Sequence, residues 1–297
     1  MTEVAQYVIN WLALGSIYAL LALGIAIVFS LLGLINFAHG ELVTVGGYTM
    51  VVLAIWDVPW ALIIPLSIAA AAVAAVLMER VAYRPLRGAH VATTLLGSLA
   101  LSVVIQNLFL MFAGARPEAI PFPSWTQDTF EVAGIVIRTL DVLTFATTVV
   151  LLSAVLLFLR RSARGIALRA AAENFDVTRL MGVRANALIR GAFALSGLLA
   201  GVAAFFFLAT AALVSPTTGF VPLLKGFIAA VIGGLGSLSG AVLGGFVLAG
   251  LEVSFQATLP EGASPFIDAF VFGIVIIVLF IRPHGLRAER SALVERA

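Results

Sequence analysis

Apolar segments recur nine times along the 297 residues, and this repetition constrains the fold more than any other feature. Hydrophobic residues make up 62% of the chain and charged residues 11%, whereas a soluble domain has about 25% charged residues. The segments lack the alternation expected of barrel strands. The sequence therefore predicts an all-α integral membrane protein, a polytopic helical bundle of about eight or nine transmembrane helices. The predicted spans are residues 7–34, 42–55, 61–78, 91–113, 142–159, 191–214, 223–236, 240–255 and 266–281.

Three of these segments, 42–55, 223–236 and 240–255, are short for a hydrocarbon core about 30 Å thick. We expect them to be broken, re-entrant or Gly-rich spans that are buried within the protein. No Lys or Arg precedes the first segment, which predicts a retained span rather than a cleaved signal peptide. The whole chain, 1–297, is expected to form a single transmembrane domain.

Positive charge is concentrated on one side of the predicted topology. Fourteen of the 17 Lys and Arg residues lie in the segments 79–90 and 160–190 and in the tail after residue 281. Segments of this kind stay in the cytoplasm, so we expect the C-terminus inside and, with nine spans, the N-terminus outside. Trp11, Trp56, Trp60 and Trp125 would then all lie at the outer boundary or beyond it, as an aromatic belt does.

Two loops are long enough to have functions of their own. In the outer loop 114–141, residues 130–138 predict a small hairpin that turns near Gly134; it is either a docking surface for an extracytoplasmic partner or a connector. In the inner loop 160–190, Asn174 suits an N-cap and Gly182 suits a C-terminal stop, which predicts a helix over 175–181. Its apolar side chains either dock into a cytoplasmic partner or rest on the lipid surface.

Polar residues interrupt the apolar sequence between the first two spans. Asn36, His39 and Glu41 follow residues 4–35, which carry no charged side chain. An ionisable group at the bilayer centre costs roughly 2.5–3.5 kcal/mol on insertion scales. The segment therefore predicts either a gate in a transport route or a structural anchor for a helix break at the inner boundary. His39 and Glu41 are two positions apart and point to different sides of a regular helix; we expect neither acid–base catalysis nor metal binding.

Two further polar or Gly-rich patterns have alternative interpretations. Thr94, Ser98, Ser102 and Gln106 recur every fourth residue, along one face of the span 91–113. They either hydrogen-bond a neighbouring helix or form a wall of the substrate route. The Gly-rich segment 233–240 allows either a close helix crossing or a break that lines the route. Its spacing fits neither a dinucleotide-binding loop nor a serine-hydrolase elbow.

The sequence also argues against catalysis by this chain. It contains no Cys, which excludes disulfides and thiolate chemistry. It contains no P-loop motif, and Lys225 is its only lysine. We therefore expect a non-enzyme without a cofactor of its own, and any ATP that drives transport must be bound by another polypeptide.

Several segments together resemble the LivH-type permeases of ABC importers for branched-chain amino acids. The resemblance covers nearly the whole chain, and the segments occur in the same order as in that family. The matching segments are 33–41 (GLINFAHGE), 46–48 (GGY), 164–182, 190–197 (RGAFALSG), 215–216 (SP), 225–227 (KGF), 233–237 (GGLGS), 240–245 (GAVLGG) and 282–286 (RPHGL).

The resemblance implies a permease subunit that carries Leu, Ile and Val across a bacterial or archaeal cytoplasmic membrane. It implies a second, LivM-type permease subunit, two cytoplasmic ATPase subunits and an extracytoplasmic solute-binding protein, with membrane lipid around the chain and no nucleic acid. Urea, short amides, other amino acids and aromatic acids are alternative solutes. A proton-coupled secondary transporter that uses His39 and Glu41 is the alternative of another class, and a passive channel is a third.

The resemblance also suggests a mechanism. Substrate enters an outer mouth near loops 114–141 and 215–219, and closure of the ATPases moves the helix 175–181, which switches the pathway near 36–41 and the Gly-rich turn. The expected pathway or gating residues are Asn36, His39, Gly40, Glu41, Ser98, Ser102, Gln106, Ser215, Thr217, Gly236 and Ser237. The expected ATPase-coupling residues are Glu173, Phe175, Asp176, Arg179, Leu180 and Gly182.

Overall fold

The chain is almost entirely helical in the part that the structure describes. This computed structural model describes residues 2–33, 35–282 and 285–286, with the backbone alone at 175, 176, 185 and 261. Residues 283 and 284 of the 282–286 motif and the tail after residue 286 therefore lie outside the described residues. The helices and strands are α1 Thr2–Leu32, α2 Glu41–Ile55, α3 Trp60–Met78, α4 Val91–Ala113, β1 Glu118–Ala119, β2 Thr129–Val132, β3 Ile135–Arg138, α5 Thr139–Arg161, α6 Ala163–Glu173, α7 Phe175–Leu180, α8 Ala185–Ala211, β4 Leu213–Val214, α9 Phe220–Gly233, α10 Leu238–Thr258 and α11 Ile267–Ile281.

Eight helices among the described residues are long and apolar enough to cross a membrane, judged by length and composition. The predicted polytopic bundle of about eight or nine helices is confirmed. Two of the three spans expected to be short are longer than predicted. The 3₁₀ turn Phe37–Gly40 extends α2 to a span of 19 residues, and α10 has 21 residues. The segment predicted as 223–236 is the short helix α9, which has 14 residues.

The two predicted loop structures are present. β2 and β3 form the antiparallel hairpin, with Val132 opposite Ile135. Its turn residues Ala133 and Gly134 both have positive φ, 54° and 81°, as a tight two-residue hairpin turn requires. In the inner loop 160–190, the Asn174 side chain accepts a hydrogen bond from the Val177 amide and caps the start of α7, as predicted.

Helix α6 was not predicted from the sequence. The Ser162 hydroxyl accepts a hydrogen bond from the Gly165 amide at 2.9 Å and caps the helix. Leu168 and Ala171 are buried, and the Arg169 Nε donates to the Leu159 carbonyl at the end of α5. The inner loop is therefore a packed helical element, and its N-cap serine is the signal that could have identified it.

The described residues divide into two compact units. The first comprises the described parts of Met1–Ala26, Ser124–Leu151 and Lys225–Ala297, and the second comprises Ile27–Pro123 and Leu152–Leu224. Helices α1, α5 and α9 contribute residues to both units. The prediction of a single transmembrane domain stays a prediction.

In the first unit, small residues let helices approach closely. The segment of α1 near Ala19 touches Gly245 of α10, where an added methyl group would come within 2.7 Å of the Ala19 Cα. Helices α9 and α10 meet at Gly233 and Gly240, and a side chain at Gly233 would overlap the Gly240 carbonyl. Close packing by small residues is a common way for membrane helices to associate, so this interpretation of the Gly-rich segment is confirmed.

The core of the second unit lies where α2, α3 and α8 pack together. Val28, Leu42, Met78, Tyr83 and Phe193 belong to one buried apolar cluster. Helices α3 and α8 cross closely, because Gly197 of α8 faces Ala71 and Ala75 of α3. A β-carbon on Gly197 would lie 2.6 Å from the Ala75 Cβ, which is shorter than any ordinary contact.

A substitution at this crossing should destabilise the chain. We expect Gly197→Ala to lower the free energy of unfolding by about 1–3 kcal/mol, the usual cost of overpacking a core. The matched control is Gly191→Ala in the same helix, because no atom lies within 4 Å of a β-carbon there; it should be neutral or stabilising by up to about 1 kcal/mol. Unfolding in detergent micelles measures both, and equal stabilities would contradict the crossing.

Candidate functional site

The segment between α1 and α2 is held by Asn36. Its Oδ1 accepts a hydrogen bond from the Ala38 amide at 2.9 Å, which caps the 3₁₀ turn Phe37–Gly40. The same oxygen accepts from the Tyr83 hydroxyl at 2.5 Å. Tyr83 ends the π-helical turn Glu79–Tyr83 that continues α3. The helix break is therefore anchored to a second helix by a buried side-chain amide.

His39 and Glu41 face different helices, as their spacing predicts. The His39 Nδ1 lies 3.2 Å from the Ser196 hydroxyl of α8. Its Nε2 is buried and has no hydrogen-bond partner in the described part of the chain. His39 and Glu41 are each only 1% exposed.

Glu41 is the centre of a polar network with α4. Its Oε1 accepts hydrogen bonds from the Ser102 hydroxyl at 2.8 Å and from the Gln106 amide at 2.7 Å. Its Oε2 accepts from the Thr44 hydroxyl at 3.2 Å. Among the described side chains, no Lys, Arg or His forms an ion pair with this carboxyl. Three hydrogen bonds from neutral donors therefore provide its polar contacts.

The predicted stripe on α4 packs against the segment between α1 and α2. Ser98 accepts from the Phe37 amide at 3.4 Å, and Ser102 and Gln106 reach Glu41. Thr94 is also buried. In contrast, Asn107 is exposed and donates to the Val103 carbonyl of its own helix. The interhelical interpretation of the stripe is confirmed, and its role in a route is a separate question.

The segments 36–41 and 215–219 meet at two glycines. A side chain on Gly40 would overlap the Gly219 carbonyl, and one on Gly219 would overlap the Gly40 carbonyl. The Gly219 amide donates to the Thr44 hydroxyl at 3.0 Å, which in turn donates to Glu41. We call the contact between Gly40 and Gly219 the glycine junction.

The glycine junction corrects the predicted topology of this region. The sequence places 36–41 at the inner boundary and 215–219 at the outer mouth, yet the two segments touch. Ser102, which binds Glu41, is the middle residue of α4, and Ser196 lies near the middle of α8. The break therefore lies level with the middle of these long helices. The reason is that α8 ends at Ala211, before a left-handed Ala212 with φ 54°, so the chain returns toward Gly40 instead of continuing as helix.

Ser215 and Thr217 lie in the turn before the glycine junction. The Ser215 amide donates to the Thr218 hydroxyl at 2.7 Å, and the Ser215 hydroxyl lies 3.0 Å from the Thr218 hydroxyl. The Thr217 hydroxyl lies 3.5 Å from that of Ser215, and Thr217 is exposed. Seven of the predicted pathway residues, all of them between Asn36 and Gln106, and this turn are thus brought together within the second unit.

Gly236 and Ser237 belong to the first unit. The Ser237 hydroxyl accepts from the Gly240 amide at 3.1 Å and caps α10. Gly236 has a φ of 97° in the turn before it. Both residues therefore shape the turn between α9 and α10.

The predicted coupling residues surround α7. Glu173 ends α6, and Gly182 follows α7 with a φ of 82°, as its predicted stop requires. Arg179 is exposed, Leu180 is 86% exposed and the neighbouring Met181 is 79% exposed. The side chains of Phe175 and Asp176 lie outside the described part of the structure. Leu180 and Met181 thus expose two large apolar side chains within the Arg-rich inner loop 160–190, which is more than a solvated connector needs.

The comparisons with known proteins identify the family. The family model described as the permease component of branched-chain amino acid transport systems matches residues 7–280. The chain belongs to this family of permeases. A relative from Pseudomonas aeruginosa, the high-affinity branched-chain amino acid transport system permease protein BraD, is 34% identical over 95% of this chain and 94% of its own length. The high-affinity branched-chain amino acid transport system permease protein LivH from Escherichia coli K12 is 32% identical, also over 95% of this chain and 94% of its own length.

A more distant relative extends the family to archaea. The probable branched-chain amino acid transport permease protein LivH of Methanocaldococcus jannaschii is 27% identical over 91% of this chain and 88% of its own length. No solved structure matches the chain significantly. The family and the eight apolar helices together show a multi-pass membrane permease.

Sequence reasoning missed several residues of this permease that complete the site. Thr44, Tyr83 and Ser196 contact predicted site residues but were not predicted themselves. Gly219 lies in the loop 215–219 that was expected at the outer mouth, but its contact with Gly40 was not predicted. The signal for Ser196 was only that a polar group lies within an apolar span, and Tyr83 lies in the Arg-rich segment 79–90, where a tyrosine gives no specific signal. For Gly219 the signal was a glycine directly before a short helix.

A buried ion cluster in the first unit was also missed. The ammonium of Lys225, only 4% exposed, lies 2.8 Å from Glu252 Oε2 and is also paired with Asp268. The Tyr18 hydroxyl donates to the same Glu252 oxygen at 2.8 Å. The cluster joins α9 to α10 and α11, and removing one of its members would leave an uncompensated charge at a cost of about 3–5 kcal/mol.

The network around Glu41 should contribute measurably to stability. We expect Ser102→Ala to lower the free energy of unfolding of the permease by about 1 kcal/mol, as for other hydrogen bonds between membrane helices. The control is Asn107→Ala on the same helix, because Asn107 bonds only its own helix; its effect should be near zero. Unfolding of both variants in mixed micelles tests this. A Ser102→Ala variant as stable as the control would show that this hydrogen bond contributes nothing measurable to the free energy of unfolding.

Proposed function

We propose that this permease is the membrane-spanning subunit of an ATP-driven importer that carries leucine, isoleucine and valine into the cell through the cytoplasmic membrane. The observation that carries the proposal is the similarity to high-affinity branched-chain amino acid permeases over 95% of the chain. Permeases of this kind do not hydrolyse ATP, and the sequence has no P-loop.

The proposal requires partner chains. The family description calls its members components of a transport system, and a single chain that cannot bind ATP in a P-loop needs others to use it. We propose a second, LivM-type permease subunit, two cytoplasmic ATPase subunits and an extracytoplasmic solute-binding protein. The Arg-rich segments support an orientation with the C-terminus in the cytoplasm. If the short helix α9 crosses as a ninth span beside the eight long helices, the N-terminus lies outside.

The glycine junction is the part of the second unit best suited to a route for substrate. It joins the starts of two helices, α2 and α9, level with the middle of α4. Transporters commonly place their substrate sites near the bilayer midplane, where discontinuous helices begin or end. Asn36, His39 and Glu41 lie beside it, so a small movement of this segment would change which polar groups reach the route. We assign these residues, with Ser98, Ser102, Gln106 and the turn 215–219, to its wall or gate.

Helix α7 is the proposed contact with an ATPase subunit. Its end exposes Leu180 and Met181, and Arg179 lies beside them on the same helix. Thr178 is buried, so the helix also has a side fixed to the permease. A short helix with one fixed face and one free apolar face can be inserted into a groove of a partner and can transmit its movement.

A proton-coupled transporter is less well supported. A relay needs titratable groups joined by hydrogen bonds, yet His39 bonds to α8 and Glu41 to α4. Within the described residues no hydrogen bond joins the two side chains. Uptake experiments separate the two functions directly.

The experiment for transport uses proteoliposomes that contain the permease with its co-purifying subunits and the binding protein. We expect uptake of labelled leucine to require internal ATP, and unlabelled isoleucine and valine to compete with it while urea does not. A protonophore should leave the initial rate unchanged. Uptake that needs no ATP and stops on addition of the protonophore would instead establish the proton-coupled alternative.

A second experiment tests α7. We expect Leu180→Ser to reduce ATP-dependent uptake at least about tenfold, because a polar side chain in a buried apolar contact costs more than 1.4 kcal/mol. The control is Ile166→Ser, which places the same change on the exposed face of α6. Membrane levels of the permease should be equal in both variants. Full uptake in Leu180→Ser would exclude α7 from coupling.

A further inference from the structure

A cleft of about 1050 Å³ opens at the Arg-rich end of the second unit. It lies between the end of α1, the turn that follows α3, the start of α4 and the segment that joins α7 to α8. Four arginines line it: Arg87, Arg179, Arg184 and Arg190. The rest of its wall is mostly apolar and includes Leu32 and Leu86.

Among the side chains that the structure describes, most of the positive charge of the cleft is uncompensated. Arg87 is paired with the buried Glu79 and also donates to the Asn186 side chain. Arg179, Arg184 and Arg190 have no carboxylate within ion-pair distance among the side chains that the structure describes. No Asp or Glu is among the described residues that line the cleft. Three cations that line one cleft, with no counterion among the described side chains, favour an anionic ligand.

Two buried polar atoms in the cleft also lack partners. The Thr94 hydroxyl is in a side chain only 3% exposed, and no described residue hydrogen-bonds to it. The Arg87 Nε is likewise buried and unpartnered within the described chain. Buried polar groups in proteins are nearly always hydrogen-bonded. The Arg87 guanidinium is already paired with Glu79, whose Oε2 is likewise unpartnered among the described residues and could accept from the Arg87 Nε. The general enrichment of Arg on the cytoplasmic side explains the number of arginines, but it does not explain the unpartnered Thr94 hydroxyl.

We propose that this cleft binds the phosphate of an anionic phospholipid from the cytoplasmic leaflet. The cleft is several times larger than a carboxylate side chain needs, and it combines cations with an apolar wall, as the two parts of a phospholipid require. Basic pockets between membrane helices on the cytoplasmic side are typical sites for anionic headgroups. The lipid phosphate accepts from Thr94 and from the guanidinium groups, and its acyl chains cover the leucines.

The bound lipid would connect elements that are separate in sequence. Arg179 belongs to α7, Arg184 and Arg190 lie at the start of α8, and Arg87 lies in the turn between α3 and α4. A phosphate held by Arg179 and by an arginine of α8 would fix the position of α7 relative to α8. The site goes beyond the transport function, because its occupancy can be measured without transport.

The test measures phospholipid retained by the full-length permease, purified in mild detergent with its co-purifying subunits, by native mass spectrometry. We expect phosphatidylglycerol to be retained by the wild type and lost about tenfold or more in the double variant Arg184→Gln/Arg190→Gln. The matched control is Arg160→Gln/Arg161→Gln, which removes two charges at the end of α5, outside the cleft. It should retain the lipid. Added phosphatidylglycerol should raise the unfolding temperature of the wild type, whereas phosphatidylcholine and inorganic phosphate should not.

A third variant keeps the test decisive if the double variant fails to fold. Thr94→Val removes only the buried hydroxyl, and we expect it to fold and to retain several-fold less phosphatidylglycerol. Three results would overturn the proposal. Equal loss of lipid in both Arg pairs would indicate bulk charge attraction, and stabilisation by inorganic phosphate alone would indicate a site for soluble anions. Unchanged lipid with loss of co-purifying subunits from the cleft variant would indicate a site for an acidic protein segment.

Discussion

The contact between Gly40 and Gly219 is the constraint on which the second unit depends. Each glycine leaves no space for a side chain on the other, so two chain segments approach backbone to backbone. That approach lets α2 and α9 both begin level with the middle of α4, and it places Asn36, His39 and Glu41 where only protein surrounds them. A β-carbon at either position would separate the segments and would pull Thr44, whose hydroxyl joins the Gly219 amide to Glu41, out of register.

Polar groups buried at this depth are stabilised by many modest hydrogen bonds rather than by opposite charges. Glu41 has three donors and no cation among the described residues. Two of these donors, Ser102 and Gln106, lie on another helix, whereas Thr44 lies on the same helix as Glu41. Interhelical hydrogen bonds in membranes contribute about 1 kcal/mol or less each, so these bonds offset a part of the cost of roughly 2.5–3.5 kcal/mol for an ionisable group in the bilayer. The first unit uses the opposite solution, since Lys225 is neutralised directly by Glu252 and Asp268. A network of neutral donors can rearrange with little electrostatic cost, whereas an ion cluster holds its helices together.

Local signals were sufficient for much of this fold. The segment 91–113 was predicted to the residue, because His90 and Gly114 bound a continuous apolar run. The hairpin and the N-cap at Asn174 followed from turn chemistry that acts within a few residues. The glycine junction could not be predicted, because it joins segments almost 180 positions apart, and an apolar run does not reveal where α8 stops. Tyr83 and Ser196 were missed for the same reason, since a hydrogen bond between distant segments has no local pattern.

The cleft and the glycine junction are connected through one side chain. Tyr83 lines the cleft, and its hydroxyl donates to Asn36. Asn36 caps the 3₁₀ turn that ends at Gly40. Tyr83 also packs beside Phe193 in the core, so a continuous set of contacts runs from the cleft to Asn36. The turn Phe37–Gly40 is the element placed to respond, because it is short and its far end, Gly40, packs against Gly219 and the Leu223 side chain. We infer that movement of the helices around the cleft reaches the glycine junction along this path. The packed side chain of Tyr83 passes the movement to Asn36, and the 3₁₀ turn then shifts Gly40 against Gly219.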